Sequence, residues 1–346
     1  MQSDLKYKIN SWCIKMKKTI KIILIILLVF AIICAGVYMF IWNKFSKMNV
    51  QNLRQEEAVS SPIPDTEPKE QKPESKKEVD FRENEDIINI LLIGADNDYL
   101  PGMNSRGNAD GIVIATLNKN TEKIIITSIM RDTRIKMPNG NSDKVTMIYH
   151  NHGMDTLMDS IENNFDIKLD NYLMVNYLNV VNIIDAAGGI MAQINEEDLP
   201  EFNKKLRNIN GLVGVNADSD LLSSGQTGNI LLNGRQAATY MRLRLTGGND
   251  FGRTARVRHV LSELKTKLMD MNLRELNAFS DVVFENINTD LSAGDMMSLL
   301  GAAPKYMKYE LVSSRIPIDD SYTGDGSYLY PDIEKNKEAL HNIING

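Results

Sequence analysis

The sequence of 346 residues is poor in cysteine, with two residues of this type, Cys13 and Cys34. No cysteine follows position 34, so disulfide bonds cannot hold the rest of the chain together. Cys34 is preceded by Ile33 rather than by a small residue, which argues against a lipid-modified cysteine. The stability of the long C-terminal part must therefore come from its hydrophobic core.

A surplus of positive charge is also lacking. The chain has 39 lysines and arginines against 45 aspartates and glutamates, for a formal net charge of -6, whereas a domain that binds nucleic acid is usually basic. Histidine is scarce, with four residues. His150 and His152 form an H-x-H pair, but no cysteine or third histidine lies near them to complete a transition-metal site. The sequence predicts neither nucleic-acid binding nor a zinc-type centre.

Residues 22–42 are an unbroken apolar run of 21 residues, about the length that crosses a bilayer as a helix. Six lysines precede the run, whereas Lys44, Lys47 and Arg54 follow it and are soon offset by Glu56 and Glu57. This bias predicts a cytosolic tail at residues 1–21 and an outward-facing remainder. A cleaved signal peptide would have a shorter apolar core, so we expect an uncleaved, single-pass anchor in the cell membrane. A second Met-Lys-Lys-Thr start signal at residues 16–19 would shorten the tail.

Residues 43–84 are polar and contain Ser-Pro-Ile-Pro, Glu-Pro and Lys-Pro-Glu-Ser-Lys-Lys, with almost no apolar residues to bury. This composition predicts a disordered extracytoplasmic tether. Residues 85–346 follow as one folded extracytoplasmic domain, which is long enough for a sizeable core.

The folded domain begins with three predicted strands. Residues 87–93 are aliphatic except for Asn89, which is typical of a strand that is buried on both faces. Residues 112–117 and 123–129 form the second and third strands, joined by a polar turn. If the three strands pair as consecutive hairpins, the end of the first, the start of the second and the end of the third lie at one edge of the sheet.

Further along the chain, helical and strand patterns alternate, which predicts an α/β fold with a mixed parallel and antiparallel central sheet flanked by helices. The predicted helices cover residues 154–165, 178–187, 253–268 and 332–344, and the further strands cover residues 172–175, 190–194 and 310–316. Residues 196–231 are the least regular part and suggest a lid or an insertion. The aliphatic helices should form the core, although one groove among them could hold an acyl or prenyl chain.

Charged residues flank the first three strands: Asp96, Asp110, Arg131 and Asp132. Hairpin pairing would bring them to one edge of the sheet. Two adjacent carboxylates without a neutralising partner are unfavourable, and Mg²⁺, which binds one or two carboxylates plus phosphate oxygens, would supply that partner. The alternative is that Asp96 and Asp110 only cap turns.

One glycine-rich stretch, residues 240–256, carries four arginines: Arg242, Arg244, Arg253 and Arg256. In an extended segment the first two would point to the same side. The second two would share a face at the start of a helix, where the macrodipole disfavours cations. A bound anion would reverse that penalty, because helix N-termini and arginine forks both bind phosphate. The stretch predicts a polyphosphate site, and the alternative is a solvated face paired with acids such as Asp250 and Glu263.

Several short segments resemble the LytR-CpsA-Psr family in order and spacing over residues 86–269. They are Asn89-Ile-Leu-Leu-Ile-Gly-Ala-Asp96, Ala109-Asp110, Ser128-Ile-Met-Arg-Asp132, Lys144, Gly188-Gly189, Asn233-Gly-Arg-Gln-Ala237, Tyr240-Met-Arg-Leu-Arg244 and Asp250-Phe-Gly-Arg-Thr-Ala-Arg256. Each segment is weak alone, but together they are specific. The short tail, the single span and the exported domain resemble the layout of that family as well.

The resemblance implies a phosphotransferase on the outer membrane face of Gram-positive-type bacteria, with Mg²⁺ or Mn²⁺ as cofactor. It would move teichoic acid, capsule or another wall polysaccharide from a polyprenyl-pyrophosphate carrier to peptidoglycan. By position, Asp96 and Asp110 would bind the metal, and the pyrophosphate would be held by Arg131, Arg242, Arg244, Arg253 and Arg256. Asp132 or Asp250 could act as the general base, or a metal-bound carboxylate could share that role.

The sequence departs from the family pattern at Met130, where proline is usual, at Ala109, where serine is frequent, and at Val257, where glutamine is common. Valine cannot hydrogen-bond a phosphate, so either Arg258 compensates or the acceptor side of the site is altered. Two other functions are open. A polyprenyl-pyrophosphate hydrolase would use the same site with water as acceptor, whereas a membrane-bound transcriptional attenuator is disfavoured because residues 1–21 are too few for a DNA-binding fold.

Overall fold

The structure is a computed structural model that describes residues 49–50, 86–96, 106–243 and 250–345. The predicted cytosolic tail, the predicted membrane span and nearly all of the predicted tether lie outside these ranges, as does Arg244. No helix within the ranges is long and apolar enough to cross a bilayer.

Seven strands of the described residues form a mixed central sheet. In order across the sheet they are β1 (Asn49–Val50), β10 (Asn288–Thr289), β7 (Asn171–Val175), β2 (Ile87–Ala95), β3 (Ala109–Asn118), β4 (Lys123–Ile129) and β11 (Glu310–Ile316). Strands β2, β3 and β4 pair as consecutive antiparallel hairpins, whereas β7 lies parallel to β2 and β11 lies parallel to β4. The predicted mixed sheet is confirmed.

Helices and short ribbons complete the described part of the chain. The ribbons are β5 (Arg134–Lys136) with β6 (Ser142–Lys144), β8 (Ile190–Ile194) with β9 (Gly228–Leu232), and β12 (Tyr322–Gly324) with β13 (Leu329–Pro331). The helices are α1 (Val145–Phe165), α2 (Tyr177–Ala186), α3 (Leu199–Leu212), α4 (Gly234–Arg242), α5 (Asp250–Asp270), α6 (Leu273–Glu285), α7 (Ala293–Tyr306) and α8 (Ile333–Asn345). Each helix predicted from the sequence is present, as α1, α2, α5 or α8.

The two faces of strand β2 have different surroundings. Leu91 and Ile93 are fully buried in a core that also contains Leu157 of α1 and Leu340 of α8. On the other face, Leu92 is only partly buried, because it lines a cavity under α2, α4 and α5. The prediction of a strand buried on both faces is therefore correct for one face, which is closely packed in the core. Helices cover the second face but leave space beneath them.

Residues 196–231 were predicted to be the least regular part of the domain, but helix α3 and most of β9 lie there. Phe202, Leu206 and Ile209 recur at helical spacing in α3 and are buried. An asparagine near the end of α3 fixes the segment that follows the helix. Asn210 Nδ2 donates hydrogen bonds to the carbonyl oxygens of Ala217 and Ser219, at 2.9 and 2.8 Å.

Candidate active site

Three strand ends meet at one edge of the central sheet, as the hairpin pairing predicted. Asp96 follows β2, Asp110 is the second residue of β3, and Arg131 lies just after β4. Asp110 occupies a β-bulge, because Gly94 pairs with Gly111 while the next residue, Ala95, pairs with Ala109. Such a bulge changes the direction of the extra side chain. Here it allows Asp110 to contact Arg131.

Two arginines and two carboxylates alternate in a closed ring at this edge. Arg131 Nη1 donates to Asp110 Oδ1 at 2.8 Å, and its Nε donates to Asp250 Oδ2 at 2.9 Å. Arg253 approaches the same two oxygens, with Nη1 3.4 Å from Asp110 and Nη2 3.3 Å from Asp250. The sequence-based premise of unneutralised carboxylates therefore does not hold for Asp110, which both Arg131 and Arg253 contact.

Arg131 is held in its charged form by the surrounding acids. Burial opposes the charge, but the hydrogen bond to Asp110 and the negative charges of Asp250 and Asp132 outweigh it and raise the pKa of Arg131. Its Nη2 group takes no part in the two hydrogen bonds described above. Nη2 is therefore the nitrogen of the guanidinium that is not committed to Asp110 or Asp250 by these two bonds.

Asp132 and Asp250, the two predicted general bases, differ in accessibility. Asp250 is bound by two arginines and its side chain is 15% exposed. Asp132 is 25% exposed and lies 3.1 Å from Lys144 Nζ and 3.6 Å from Arg131 Nε. Asp132 is therefore the more accessible of the two to an incoming hydroxyl group.

Arg242 ends helix α4, which corrects the prediction of an extended segment at this point. The helix forms because Asn233 and Gln236 make a reciprocal capping box at its start. A cation at a helix C-terminus is favoured by the macrodipole. The guanidinium lies 4.0 Å over the ring of Tyr177, with Nη2 3.9 Å from Asp96 Oδ1. Arg242 thus joins the same edge from a second direction.

Arg256 has other partners than the carboxylates of this edge. Its Nη1 donates to the carbonyl oxygen of Leu243 at 2.6 Å, and its guanidinium lies 5.7 Å over the ring of Tyr240. Burial lowers the pKa of Arg256, although Tyr240 and Asp198 act in the opposite direction. These contacts fix the end of α4. The three described arginines of the stretch, Arg242, Arg253 and Arg256, are therefore not equivalent, and Arg244 lies outside the described residues.

Asp96 is the carboxylate of this edge that is least neutralised by its neighbours. Its one ion pair within 4 Å, among the described residues, is the contact of 3.9 Å with Arg242. Burial is the main reason why the pKa of Asp96 lies above its ordinary value of 3.8, and the charge of Asp110 adds to the rise against the effect of Arg242. A cation would relieve this unfavourable burial of charge. No group of three or more acids and histidines that could hold a metal occurs in the described ranges, but two carboxylates with phosphate oxygens are sufficient for Mg²⁺.

A cavity of about 340 Å³ extends from the charged edge under the helices. Strands β2, β3 and β7 form its floor, and helices α2, α4 and α5 form its other walls. Asp110, Tyr177, Arg242 and Arg253 contribute to its lining, and the rest is mainly aliphatic, including Leu92, Leu173, Val180, Ile183, Met241, Val260 and Leu264. The predicted groove among aliphatic helices is therefore present. It leads directly to the carboxylates and arginines.

Val257 and Arg258 lie on different flanks of helix α5. Val257, which stands where the family commonly has glutamine, lines the cavity. Arg258 lies towards Arg315 of β11, and burial together with the like charge of Arg315 lowers the pKa of Arg258. Arg258 therefore does not replace a polar contact on the cavity side.

Sequence reasoning missed Tyr177 and Lys205. Burial raises the pKa of Tyr177, and its ring supports Arg242 at the mouth of the cavity. Its position just after β7, which is parallel to β2, could have placed it at the same edge. Lys205 lines the cavity from α3 and pairs with Glu201 at 3.1 Å. No signal placed it there, because α3 itself was not predicted.

The chain is similar to known proteins in both sequence and fold. Residues 52–345 match the model of the LytR_cpsA_psr family. The chain is similar to polyisoprenyl-teichoic acid-peptidoglycan teichoic acid transferase TagU of Bacillus licheniformis, with 27% identity over 339 residues, or 94% of this chain and 98% of that protein. It is also similar to biofilm regulatory protein A of Streptococcus mutans, with 26% identity over 74% of this chain and 62% of that protein.

Solved structures with the same fold include protein gbs0355 from Streptococcus agalactiae. It has a TM-score of 0.60 and 24% identity, covering 78% of this chain and 90% of that one. A structure described as TagT bound to LIIa-WTA has a TM-score of 0.57 and 20% identity, covering 76% of this chain and 92% of that one. At these identities the likeness concerns the fold, and it agrees with the central sheet flanked by helices.

Proposed function

Because this chain belongs to the LytR-CpsA-Psr family, we propose that it is a transferase that moves a glycopolymer from a polyprenyl-pyrophosphate carrier to peptidoglycan. The TagU proteins to which it is similar are named polyisoprenyl-teichoic acid-peptidoglycan teichoic acid transferases. Teichoic acid, capsular polysaccharide or another wall polysaccharide would be the transferred polymer.

The proposal rests on one feature of the structure. An aliphatic cavity ends at a compact set of carboxylates and arginines, so a single ligand with an apolar chain and a polyphosphate group fits both parts. Burying a polyprenyl chain in the cavity is favourable at about 25 cal/mol for each Å² of apolar surface removed from water. The pyrophosphate then lies where Arg242 and Arg253 line the cavity. Arginine binds phosphate oxygens with two hydrogen bonds in a fixed geometry.

In the proposed reaction, a sugar hydroxyl oxygen of peptidoglycan forms a bond to the phosphorus that carries the glycopolymer. The bond between this phosphorus and the oxygen bridging to the polyprenyl phosphate breaks, and polyprenyl monophosphate leaves. The hydroxyl proton passes to a carboxylate, for which Asp132 is the better placed because it is more exposed than Asp250. Arg131, Arg242 and Arg253 stabilise charge on the phosphoryl oxygens.

Asp96 and Asp110 are the residues that would hold Mg²⁺, or Mn²⁺ in its place. They suit the ion because both are carboxylates at one strand edge and burial makes the charge of Asp96 unfavourable without a cation. Bound there, the metal would neutralise phosphate oxygens as a Lewis acid. Asp110 already contacts Arg131 and Arg253, so metal binding would require it to share its oxygens between the arginines and the ion.

The reaction can be tested with the full-length protein in detergent, a labelled polyprenyl-pyrophosphate glycan, Mg²⁺ and peptidoglycan strands. Transfer of the label to peptidoglycan supports the proposal. Release of labelled glycan phosphate without attachment would identify a hydrolase instead, and absence of both products would contradict either activity. Asp110→Asn should abolish the signal, whereas Arg207→Gln, at an exposed pair with Asp218, is the matched control.

The cellular location is part of the same proposal. Residues 22–42 would anchor the chain in the cell membrane, with residues 1–21 in the cytosol and the folded domain outside. Protease added to intact wall-less cells should then digest the folded domain. Full protection of that domain would contradict this topology and, with it, a role at the cell wall.

A further inference from the structure

Helix α5 has a second functional flank, turned away from the cavity. Phe251, Arg258 and Lys265 are spaced by seven residues and therefore lie on one side of the helix. All three face β11 or the residues next to it. The Phe251 ring lies 4.6 Å from the Arg315 guanidinium, and Lys265 Nζ donates to the carbonyl oxygen of Tyr309 at 2.9 Å.

The flank carries a guanidinium that lacks a counter-charge in the described part of the chain. Arg258 Nη1 is buried and has no hydrogen-bond partner among the described residues. The charged group that acts most on Arg258 is the guanidinium of Arg315, which has the same sign. A buried donor without a partner costs roughly 1 to 3 kcal/mol, and more for a charged group. An anionic ligand would remove this cost.

Arg315 lies on the same face of the sheet as the cavity. It is in register with Ser128 of β4, which is in register with Val113 of β3, and Val113 lines the cavity. Residues in register across neighbouring strands share a face of the sheet. Helix α5 therefore lies above one sheet, with the cavity over β2, β3 and β7 on one flank and side chains of β11 on the other.

Aromatic side chains lie on the β11 flank of helix α5. The rings of Phe251 and Tyr322 are 5.8 Å apart and inclined by 34°. Phe251 directly follows Asp250, which is part of the charged ring. The aromatic pair is thus adjacent to the carboxylates. Aromatic rings with neighbouring arginines suit a ligand that has apolar C–H faces and a negative charge, such as an acidic sugar.

The geometry of phosphoryl transfer assigns the two flanks of α5 to different substrates. The attacking and leaving oxygens lie roughly in line on opposite sides of the phosphorus. If the polyprenyl phosphate leaves towards the cavity, the acceptor hydroxyl must approach from the other side. The β11 flank is turned away from the cavity, and its first residue, Phe251, directly follows Asp250.

We propose, on the premise of the transferase function above, that Arg258 and Arg315 with Phe251 and Tyr322 form the acceptor subsite, which binds a carboxylate of the peptidoglycan strand. Peptidoglycan carries carboxylates on its stem peptides, close to the sugar hydroxyls. Arg258 supplies the free N–H group, and Arg315 is held in place by Asp319 and by the carbonyl oxygen of Pro317. Both arginines are positioning residues that do not touch the reacting phosphorus.

The test compares Arg258→Gln with the parent and with Arg207→Gln, all as full-length protein in detergent. The probe is a purified disaccharide-peptide fragment of peptidoglycan, titrated by calorimetry with its carboxyl groups free or amidated. The free fragment should bind Arg258→Gln about tenfold or more weakly than the parent, the usual scale for a charge-assisted hydrogen bond. The amidated fragment should bind the parent as weakly as the free fragment binds the variant, and Arg207→Gln should match the parent.

Thermal unfolding distinguishes a binding role from a structural one. If Arg258 serves a ligand, its replacement leaves the melting temperature of the free protein unchanged or raises it, because an unpartnered charge is removed. A lower melting temperature with unchanged fragment affinity would overturn the proposal. It would also be overturned if a glycerol phosphate oligomer, and not the carboxylate fragment, bound in an Arg258-dependent manner.

Affinity for the polyprenyl-pyrophosphate donor is measured in parallel on the same variants. It should not change in Arg258→Gln, because the donor lies on the other flank of α5. If the parent fails to bind or turn over the donor, the transferase function is wrong whatever the fragment does. If donor turnover is normal and the fragment titrations of parent and Arg258→Gln coincide, only the acceptor subsite is wrong.

Discussion

The two flanks of helix α5 place arginines in opposite electrostatic surroundings. On the cavity flank, Arg253 is 8% exposed but lies within 3.4 Å of two carboxylates, from Asp110 and Asp250. On the β11 flank, Arg258 has a buried Nη1 without a partner in the described residues and a second arginine nearby. Helix α5 therefore carries the neutralised guanidinium of Arg253 and, five residues later, the guanidinium of Arg258, which lacks a counter-charge among the described residues.

This difference indicates what each flank requires from a ligand. The cavity flank is already balanced in charge, so a pyrophosphate there must be accompanied by rearranged ion pairs or by a cation. On the β11 flank Arg315 pairs with Asp319, whereas the buried Nη1 of Arg258 has no partner among the described residues, so an anion alone would stabilise Arg258. A buried charge is unfavourable without a partner. An anion could therefore bind beside Arg258 without a metal ion, whereas the cavity flank would need a metal ion or a rearrangement of its ion pairs.

The largest expected effect follows from replacing Arg131, which pairs with three carboxylates at the charged edge. Arg131→Ala leaves Asp110, Asp132 and Asp250 without their shared cation, and breaking a buried pair in this way should lower the free energy of unfolding by about 3 kcal/mol. Urea unfolding at neutral pH measures this loss. Arg207→Ala, at an exposed pair, should change it by less than about 1 kcal/mol, and a similarly small loss for Arg131→Ala would contradict the ring.

Asp96→Asn should reduce transfer by roughly 100-fold, or about 2.7 kcal/mol, because it removes a ligand that positions the metal at the developing charge. Added Mg²⁺ should restore activity only in part, and it should raise the melting temperature of the parent but not of the variant. A variant that Mg²⁺ stabilises as much as the parent would exclude Asp96 as a ligand.

The effect of pH on protein stability provides a second test of the surroundings of Asp96. Its folded pKa is raised above 3.8 by burial, so its ionised form disfavours folding. As the pH falls through the raised pKa, the metal-free parent should gain stability relative to Asp96→Asn, and the stabilisation by Mg²⁺ should disappear as protons displace the metal. The loss should begin at a higher pH than for an exposed aspartate.

Arg242→Gln should weaken binding of the pyrophosphate donor by roughly 1.5 to 3 kcal/mol, the scale of a hydrogen bond to a charged group. The sequence predicts the same for Arg244→Ala. Arg256→Gln is the contrasting variant, because its guanidinium binds the Leu243 carbonyl oxygen; it should lower stability while leaving donor affinity intact. Equal losses of donor affinity at Arg242 and Arg256 would show that both contact the ligand.

The smallest expected effect concerns Val257, which lines the cavity. Val257→Gln would bring an amide into an aliphatic wall at a cost of about 1 kcal/mol. Affinity for a long-chain polyprenyl donor should fall accordingly, whereas a short-chain donor should bind as before. Tighter binding of the long-chain donor by the variant would indicate that residue 257 contacts phosphate instead.

The edge of the sheet was predictable because its geometry follows from local rules. Two consecutive hairpins place alternate ends of three strands together, so Asp96, Asp110 and Arg131 converge without any knowledge of distant contacts. The order of segments also identified the family. The bulge at Asp110 was not predictable, because it depends on how Gly94 and Gly111 pair across the hairpin.

The arrangement of the arginines depended on tertiary contacts and was only partly predictable. Arg253 and Arg256 begin a helix, as the sequence indicated, but only the structure shows that one binds carboxylates and the other a carbonyl oxygen. Arg242 was expected in an extended segment, but the reciprocal capping box of Asn233 and Gln236 starts a helix that Arg242 ends. Arg258 and Arg315 are 57 residues apart in sequence, and only the packing of α5 against β11 unites them.

The most direct measurement is a crystal structure of the protein with a polyprenyl-pyrophosphate sugar and Mg²⁺. We predict a polyprenyl chain between β2 and α5, a pyrophosphate bound by Arg242 and Arg253, and a metal bound to Asp96. A pyrophosphate bound between Arg258 and Arg315, with the cavity beside Val257 empty, would contradict this prediction.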